Sequence, residues 1–377
     1  MRSWLLTAVI VGVIVSLTSL ASASLLHEGS SHSDTNDDCF GKHLSDSERI
    51  QGCSRIIISE PGNAAAYNRR GVAYFNNGDY DHALADLSKR IELDSKNPEA
   101  YNNRGIVYDH KGDYTPALLD FNKAIALDPK YFGAYFNRGN VWFDKQNYPR
   151  ALKDYETGIR LAPEASDGYY ARGNVYLNTG DYDRAIRDYN RAIELDDENG
   201  AAFNNRGAAY FAKGGFDEAR RDFNKALGVK PDALNAIKGL ASVYFYEGEY
   251  DRAIEKYERA IALDPDDAYL PLHRYLAEVK AGKEVRAGLA ASARKTGNIW
   301  PGPVYEFFLG NISAAKLEAA AQSQNERCAF SYFLGEWDML KGEQKTARPL
   351  LKKATEVCPK DVPEYPVAAA ELRRLGP

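Results

Sequence analysis

The segment YFNRGNVWF, residues 135–143, brings together side chains that could bind a ligand. Its four aromatic rings could stack on a base or a sugar, and its arginine and two asparagines could hydrogen-bond to the polar edge of such a ligand. The same side chains could equally pack a protein core. A stacking site would occur once in the chain, whereas packing residues recur wherever the same element recurs, so the rest of the sequence decides between the two.

Residues with the potential for catalysis are few and scattered. The sequence contains no H-E-x-x-H, G-x-S-x-G, G-x-x-x-x-G-K or G-x-G-x-x-G motif, and no pair of its cysteines has the C-x-x-C spacing. His43 lies near Cys39, but a disulfide between Cys39 and Cys53 would remove the thiol nucleophile. The pattern therefore predicts a protein that is not an enzyme and that needs no cofactor and no metal. A cryptic enzyme is the least favoured alternative.

A repeat explains half of the aromatic residues. Five glycines are each 34 residues apart, and aromatic residues, an alanine and a proline recur around most of them at fixed offsets. This period and these residue types are those of the tetratricopeptide (TPR) repeat, which the sequence resembles in six successive copies. The resemblance implies an all-α fold, a right-handed superhelical solenoid of antiparallel helix pairs with capping helices. The six units are 64–97, 98–131, 132–165, 166–199, 200–233 and 234–267.

Counting each unit from position 1 separates the core from the surface. Positions 4, 11, 17 and 24 comprise 24 sites, of which 22 are aromatic, so these rings, Tyr135 and Trp142 among them, are predicted to pack between helices. Position 7 is Arg and position 23 is Asp in the first five units, and both change together in the sixth, to Leu240 and Lys256. A joint change indicates that the two side chains pair. The predicted structural ion pairs are Arg70–Asp86, Arg104–Asp120, Arg138–Asp154, Arg172–Asp188 and Arg206–Asp222.

A second stripe of each first helix consists of positions 2, 5, 9 and 12, with position 6 at its border. In a TPR superhelix this stripe lines the concave groove. Asparagine amides suit the backbone of an extended peptide, and interleaved aromatic rings would act as anchors. The alternative is that the asparagines are merely tolerated at the surface. The predicted protein-binding groove consists of Asn68, Asn102, Asn103, Phe136, Asn137, Asn140, Phe143, Tyr170, Asn174, Asn204, Asn205 and Phe211.

The ends of the chain differ in composition from the repeats. An apolar run follows Arg2 and ends in small residues, which predicts a signal peptide over 1–23 and a periplasmic or secreted product. After cleavage no stable membrane insertion is expected, and retention of this segment as an anchor is the alternative. The other predicted boundaries are a disordered linker 24–38, an N-terminal degenerate hairpin or cap 39–63, six repeats 64–267, degenerate hairpins 268–327, a last TPR-like repeat 328–361 and a C-terminal capping helix 362–377.

The four cysteines are predicted to form two disulfides, which suits an exported protein. Cys39 and Cys53 flank the turn of the N-terminal hairpin, and Cys328 and Cys358 flank the turn of the last repeat. Antiparallel packing brings the members of each pair side by side, so the predicted bridges are Cys39–Cys53 and Cys328–Cys358. Free or reactive thiols are the alternative.

The C-terminal third resembles a narrower group. The segments LHRYLAE (272–278), YEFFLGNISAAKLEAA (305–320) and SYFLGEWDMLKGEQKTARPLLKKATE (331–356) are similar to the end of the NlpI-type TPR lipoproteins of the bacterial envelope. The resemblance implies an adaptor that presents peptidoglycan hydrolases to a periplasmic processing protease, often as a homodimer. This chain departs from the group in having no lipidation cysteine and in having more regular repeats.

The sequence thus predicts a non-catalytic scaffold or adaptor of the bacterial cell envelope. Its partners would be proteins or extended peptides bound in the groove, with peptidoglycan hydrolases and their periplasmic protease as the partners that the resemblance implies. The alternative is a scaffold of another exported assembly, for polysaccharide secretion or a pilus. A net charge of -5 spread along the chain lacks the concentrated basic face that nucleic acid requires, so nucleic acid is not an expected partner.

Overall fold

The computed structural model describes residues 39–283, 286–359, 362 and 364–376. The predicted signal peptide 1–23 and linker 24–38 lie outside these residues. The described chain forms two compact units, an N-terminal unit that ends at Val175 and a C-terminal unit that begins at Tyr176. Throughout the described ranges the secondary structure is helical, without a strand. None of the described helices has the length and apolar character needed to cross a membrane.

The N-terminal unit is a stack of helix pairs. In each predicted repeat the first helix begins at position 1 and the second at position 17, and consecutive helices pack against each other in chain order. The predicted all-α helix-pair fold is therefore confirmed. The helices are α1 (Asp46–Ser59), α2 (Ala64–Asn76), α3 (Tyr80–Leu93), α4 (Pro98–His110), α5 (Tyr114–Leu127), α6 (Phe132–Asp144), α7 (Tyr148–Leu161) and most of α8 (Ser166–Thr179).

Glycine at position 8 lets the two helices of a pair approach closely. A Cβ atom on Gly105 would lie 2.7 Å from the ring of Phe121, and one on Gly139 would lie 2.6 Å from the ring of Tyr155. Both distances are shorter than packed carbon atoms allow, so no other residue fits without moving the ring. The rings at position 24 are fully buried as a result, with Phe121 0% and Tyr155 1% exposed.

The repeats begin and turn by local signals. Asn97 caps α4 because its side chain accepts a hydrogen bond from the backbone N–H of Ala100. The turn after α4 contains Gly112 with a φ of 78°, the left-handed conformation that ends many helices. The turn after α6 has Gln146 at this place, with a φ of 55°, a conformation that few residues other than glycine adopt without strain.

Disulfides join the two predicted cysteine pairs. The Cα atoms of Cys39 and Cys53 are 4.6 Å apart, and those of Cys328 and Cys358 are 4.7 Å apart. The bridges close loops with sequence separations of 14 and 30 residues. By the chain-entropy estimate each closure stabilises the folded state by about 3 kcal/mol.

The C-terminal unit continues the helix pairs and ends in a single helix. Its helices are α9 (Tyr182–Leu195), α10 (Gly200–Lys213), α11 (Phe216–Val229), α12 (Leu234–Glu247), α13 (Tyr250–Leu263), α14 (Leu270–Lys280), α15 (Arg286–Thr296), α16 (Gly302–Phe308), α17 (Ala314–Ala320), α18 (Gln324–Leu340), α19 (Gln344–Val357) and α20 (Glu364–Arg374). Helix α18 begins before the predicted repeat start at 328, because Ser323 and Glu326 form a capping box. Helix α20 packs against α19 and also against α10 and α18.

Candidate functional site

The arginine at position 7 links three helices. In the second repeat, Arg104 donates from Nε and Nη2 to the two carboxylate oxygens of Asp120, each at 2.8 Å. Asp120 is 5% exposed, and its hydrogen bonds raise the pKa of the Arg104 guanidinium. The third nitrogen, Nη1, donates to Ser88 Oγ of the preceding repeat at 3.1 Å. The guanidinium is therefore committed to holding neighbouring helices in register, which is a structural role.

The bidentate arrangement recurs in three more of the predicted pairs. The N–O distances lie between 2.6 and 2.8 Å in Arg70–Asp86, Arg138–Asp154 and Arg206–Asp222. Arg172–Asp188, whose residues belong to different units, stays a prediction. The bond to the preceding repeat was missed by the sequence analysis, although position 25 carries the signal as a small polar residue in Ser88, Asn122 and Asn190.

Asparagines on the inner stripe of the N-terminal unit bond to one another. Asn103 Nδ2 donates to Asn68 Oδ1 at 3.1 Å, and Asn137 Nδ2 donates to Asn102 Oδ1 at 2.9 Å. Each bond joins position 6 of one repeat to position 5 of the preceding repeat, 35 residues earlier. Asn102 Nδ2 and Asn103 Oδ1 are buried without a partner among the described residues. This asparagine ladder ties the first helices together and leaves some amide capacity unused.

The ring of Phe136 packs inside the N-terminal unit rather than lining an open groove. A Cβ atom on Gly158 would lie 2.2 Å from this ring, and one on Gly168 would lie 2.6 Å from it. Phe136 fills the space that these two glycines leave and is 6% exposed. Its position in the repeat predicts a residue that lines the groove. The ring is buried instead, because the two residues that face it are glycines and leave space for it.

The remaining predicted groove residues of this unit differ in exposure. Asn140 is buried, and its Oδ1 accepts a hydrogen bond from the hydroxyl of Tyr155 at 2.8 Å. Tyr170 and Asn174 are 8% and 2% exposed. Phe143 is only partly buried, with its ring centroid 5.8 Å from that of the Tyr148 ring. Of the twelve predicted residues, ten are buried, and only Asn137 and Phe143 are partly exposed.

Two carboxylates without a cationic partner lie on or next to this stripe. Asp109 is at position 12 of the second repeat, and Asp144 is at position 13 of the third. Burial, and then the charge of Asp144, raise the pKa of Asp109 to about 7. Asp144 is exposed at the surface, and partial desolvation of its carboxylate raises its pKa to about 6. Neither carboxylate forms a salt bridge within the described chain, and Asp109 Oδ1 is buried without a hydrogen-bond donor there.

Aromatic residues occur around these two carboxylates in the repeat pattern. Burial, and then the charges of Asp144 and Asp109, raise the pKa of the Tyr114 phenol. Phe75, at position 12 of the first repeat, packs edge-on against His110 with ring centroids 4.8 Å apart. Phe143 holds position 12 of the third repeat. Paired carboxylates beside aromatic faces can hold a cationic side chain by charge and by cation–π contact.

Asp109 and Asp144 are not among the twelve predicted binding residues. The signal was an exception in the repeat, since position 12 is apolar in every other unit, as in Phe75, Phe143 and Phe211. Among the described residues, no group of three or more His, Cys, Asp or Glu side chains could hold a metal ion.

The predicted groove residues of the C-terminal unit are covered. Phe211 is 6% exposed and belongs to the same core cluster as residues of α20. Asn204 and Asn205 are 9% and 4% exposed, and Asn204 Nδ2 donates to Asn205 Oδ1 at 2.9 Å. Asn204 Oδ1 has no partner among the described residues, because position 6 of the next repeat is Gly239, which cannot continue the ladder.

Comparison with protein families finds tetratricopeptide repeats along the chain. A model described as TPR repeat matches residues 71–109, 139–180 and 173–214. Two models described as tetratricopeptide repeat match residues 98–131 and 204–268. Together the matches span just over half of the 377 residues.

Individual proteins are similar over parts of the chain. An FK506-binding protein-like protein of Rattus norvegicus is 48% identical over 46 residues, which are 12% of this chain and 13% of that protein. The crystal structure of YrrB, described as a TPR protein with an unusual peptide-binding site, is 27% identical over 50% of this chain and 96% of its own, with a TM-score of 0.42. Pseudomonas aeruginosa pilF is 18% identical over 58% of this chain and 97% of its own, with a TM-score of 0.52, a likeness of fold.

Proposed function

The chain belongs to the tetratricopeptide repeat family, and from this premise we propose that it is a non-catalytic scaffold that binds other proteins. Repeat solenoids present long surfaces that are suited to partners rather than to small substrates. The inner stripe of the N-terminal unit is the proposed binding face. The ligand is an extended segment of a partner protein that carries a lysine or arginine.

The observation that carries this proposal is the Asp109–Asp144 pair. Asp109 Oδ1 is buried without a hydrogen-bond donor among the described residues, which is costly for the free protein, and the charge of Asp144 adds to that cost. A lysine or arginine of a partner relieves that cost by pairing with Asp109. The ring of Tyr114 already has one cation over it, the Lys145 ammonium, 5.5 Å from the ring centroid. The amide of Asn137, partly exposed at the end of the ladder, is available to the backbone of the same segment.

The place of action that we propose is the bacterial cell envelope. The segments 272–278, 305–320 and 331–356 support this through their resemblance to NlpI-type proteins, and the disulfides suit an oxidising compartment. The proposed partners are peptidoglycan hydrolases and a periplasmic protease that processes them, and assembly into a homodimer belongs to the same proposal. A cleaved signal peptide over 1–23 would deliver the chain there.

Affinity capture from an envelope extract tests the partner class. The baits are the mature chain, an Asp109→Asn/Asp144→Asn variant and an Asp113→Asn variant. Asp113 is an exposed carboxylate on the turn of the same helix pair and makes no capping hydrogen bond, so it is a matched control. Wall hydrolases or their protease should bind the parent and the control and be lost from the double variant. Capture of these enzymes by all three baits would move the binding site elsewhere, and capture by none would refute the envelope role.

A further inference from the structure

A helix of the chain itself lies across the inner stripe of the C-terminal unit. Position 12 of repeats five and six is Phe211 and Phe245, and both rings belong to one core cluster with Val367 and Ala368 of α20. Tyr246, at position 13, donates from its hydroxyl to the carbonyl oxygen of Val367 at 2.7 Å. The stripe that faces the groove in a TPR repeat is therefore covered by α20, which occupies the place of a ligand.

Helix α20 reaches across several repeats with one face. At its first residue, Glu364, the charge of Asp267 ahead of α14 acts on the carboxylate. Near its last residue, the guanidinium of Arg373 lies beside Gly214 in the turn after α10, 3.2 Å from where a Cβ atom would be. Four buried residues have the i, i+3, i+4, i+7 spacing of a single helix face. They are Glu364, Val367, Ala368 and Glu371.

The contact is polar at its centre and incompletely paired. Lys280 Nζ lies 3.1 Å from Glu336 Oε2 and 3.7 Å from Glu371 Oε1, and it stands 4.5 Å from the centre of the Phe245 ring. Glu336 and Glu371 are 0% and 1% exposed. Glu336 Oε1 and Glu371 Oε2 are buried without a hydrogen-bond partner among the described residues. Arg374 Nη1, on a largely exposed side chain, also lies 3.7 Å from Glu371 Oε1. The two buried carboxylates thus share Lys280 and this outer guanidinium and still leave two oxygens without a donor, which makes this contact weaker than fully satisfied packing.

We infer that the inner stripe of repeats five and six, together with Lys280 and Glu336, is a second binding site that accepts an amphipathic helix, and that α20 fills it until a partner's helix replaces it. The partner's helix carries small apolar residues where α20 has Val367 and Ala368. At the place of Glu371 it carries a neutral amide or hydroxyl. With such a helix bound, the Lys280 ammonium pairs with Glu336 alone, and the amide or hydroxyl donates a hydrogen bond to Glu336 Oε1. The partner's helix therefore binds more tightly than α20 does.

Two labelled synthetic peptides test the site on the full-length chain. They span residues 362–377, one with the native sequence and one with Glu371→Gln. The receptor carries Glu371→Lys, which places a second ammonium beside Lys280 and releases α20. Its matched control carries Glu356→Lys, the same change at an exposed position of α19.

Fluorescence anisotropy reports binding, and hydrogen exchange reports the release of α20. We expect the Glu371→Lys chain to bind the native peptide and to bind the Glu371→Gln peptide about tenfold more tightly. The parent and the Glu356→Lys chain should bind neither peptide at the same concentration, because the tethered α20 competes at an effective concentration of about 1 mM. A Glu371→Lys chain whose α20 amides exchange faster but which binds neither peptide would overturn the inference, as would unchanged exchange in α20.

A gentler variant covers the case in which Glu371→Lys unfolds the C-terminal unit. Tyr246→Phe removes only the hydroxyl that bonds to α20. We then expect amide exchange in residues 367–374 to rise about fivefold while α18 stays protected. Equal acceleration in α18 and α20 would show that α20 is an inseparable part of the core, which contradicts the inference.

Discussion

Replacing Arg104 by leucine removes both hydrogen bonds to a carboxylate that is almost fully buried. Asp120 is 5% exposed, and the side chain of Arg104 retains 21% of its surface. Breaking a buried pair by removing one partner costs about 3–5 kcal/mol, and water at the edge of this pair places the expected loss at the low end, about 3 kcal/mol. Asp120→Lys, which sets two cations together, should cost a similar amount.

The sixth repeat shows a combination that the fold accepts. It carries Leu240 and Lys256 at the two positions, with Leu240 1% exposed and the Lys256 ammonium bonded to Glu255 at 2.7 Å. We therefore expect the Arg104→Leu/Asp120→Lys double variant to lose only about 1 kcal/mol, far less than the sum of the single losses. The difference between the sum of the two single losses and the loss of the double variant is the coupling free energy between the two side chains.

Hydrogen exchange is the assay, because a repeat array does not unfold as a single cooperative unit and a global midpoint would mix its parts. The free energies of opening of α4 and α5 are compared among the parent, the two single variants and the double variant, with α12 as an internal reference. Losses below about 1 kcal/mol for the single variants, or strictly additive losses, would refute the claim that the arginine and the aspartate hold each pair of helices in register.

Three further predictions concern stability. The pKa of Asp109 is about 7 in the folded state and about 4 in the unfolded state, so between these pH values the folded state binds one more proton. The free energy of unfolding should therefore fall as the pH rises from 5 to 8, by about 2 kcal/mol after allowance for water access. Asp109→Asn should remove this contribution from the opening free energy of α4 measured by hydrogen exchange at several pH values, while Asp113→Asn should keep it. Glu364 is 5% exposed, and burial raises its pKa to about 7. Glu364→Gln should therefore stabilise the C-terminal unit by about 2 kcal/mol at pH 8 and leave its stability unchanged at pH 4. Equal effects at both pH values would exclude burial of the charge as the cause. Replacing Cys39 and Cys53 together by serine should destabilise α1 by about 3 kcal/mol in hydrogen exchange, whereas α4 keeps its protection; a uniform loss along the unit would contradict a local clamp.

The 34-residue period carries most of the fold. Because every repeat reuses the same register, the helix starts at positions 1 and 17, the contact of Gly105 with the Phe121 ring and the pairing of Arg104 with Asp120 all follow from counting. Local chemistry at the ends of helices was less accessible. The start of α18 depends on a capping box at Ser323 that lies outside the repeat pattern.

Exposure within the inner stripe could not be read from position alone. Phe136 is buried because Gly158 and Gly168 face it, and these glycines matter only once three helices are packed. Phe211 is buried in a core cluster that includes residues of α20, a helix that is not part of any repeat. A repeat period identifies which residues share a helix face. What packs against that face depends on the tertiary structure, which the period does not show.

A selection from a displayed library of nine-residue peptides tests the central claim most directly. The immobilised targets are the mature chain, its Asp109→Asn/Asp144→Asn variant and its Asp113→Asn control. We predict that the parent and the control enrich peptides with a lysine or arginine at a fixed distance from an aromatic or aliphatic anchor, and that the double variant loses this enrichment while its circular dichroism spectrum is unchanged. Peptides enriched equally on all three targets, or without a basic residue, would contradict the assignment of the carboxylate pair as the binding face.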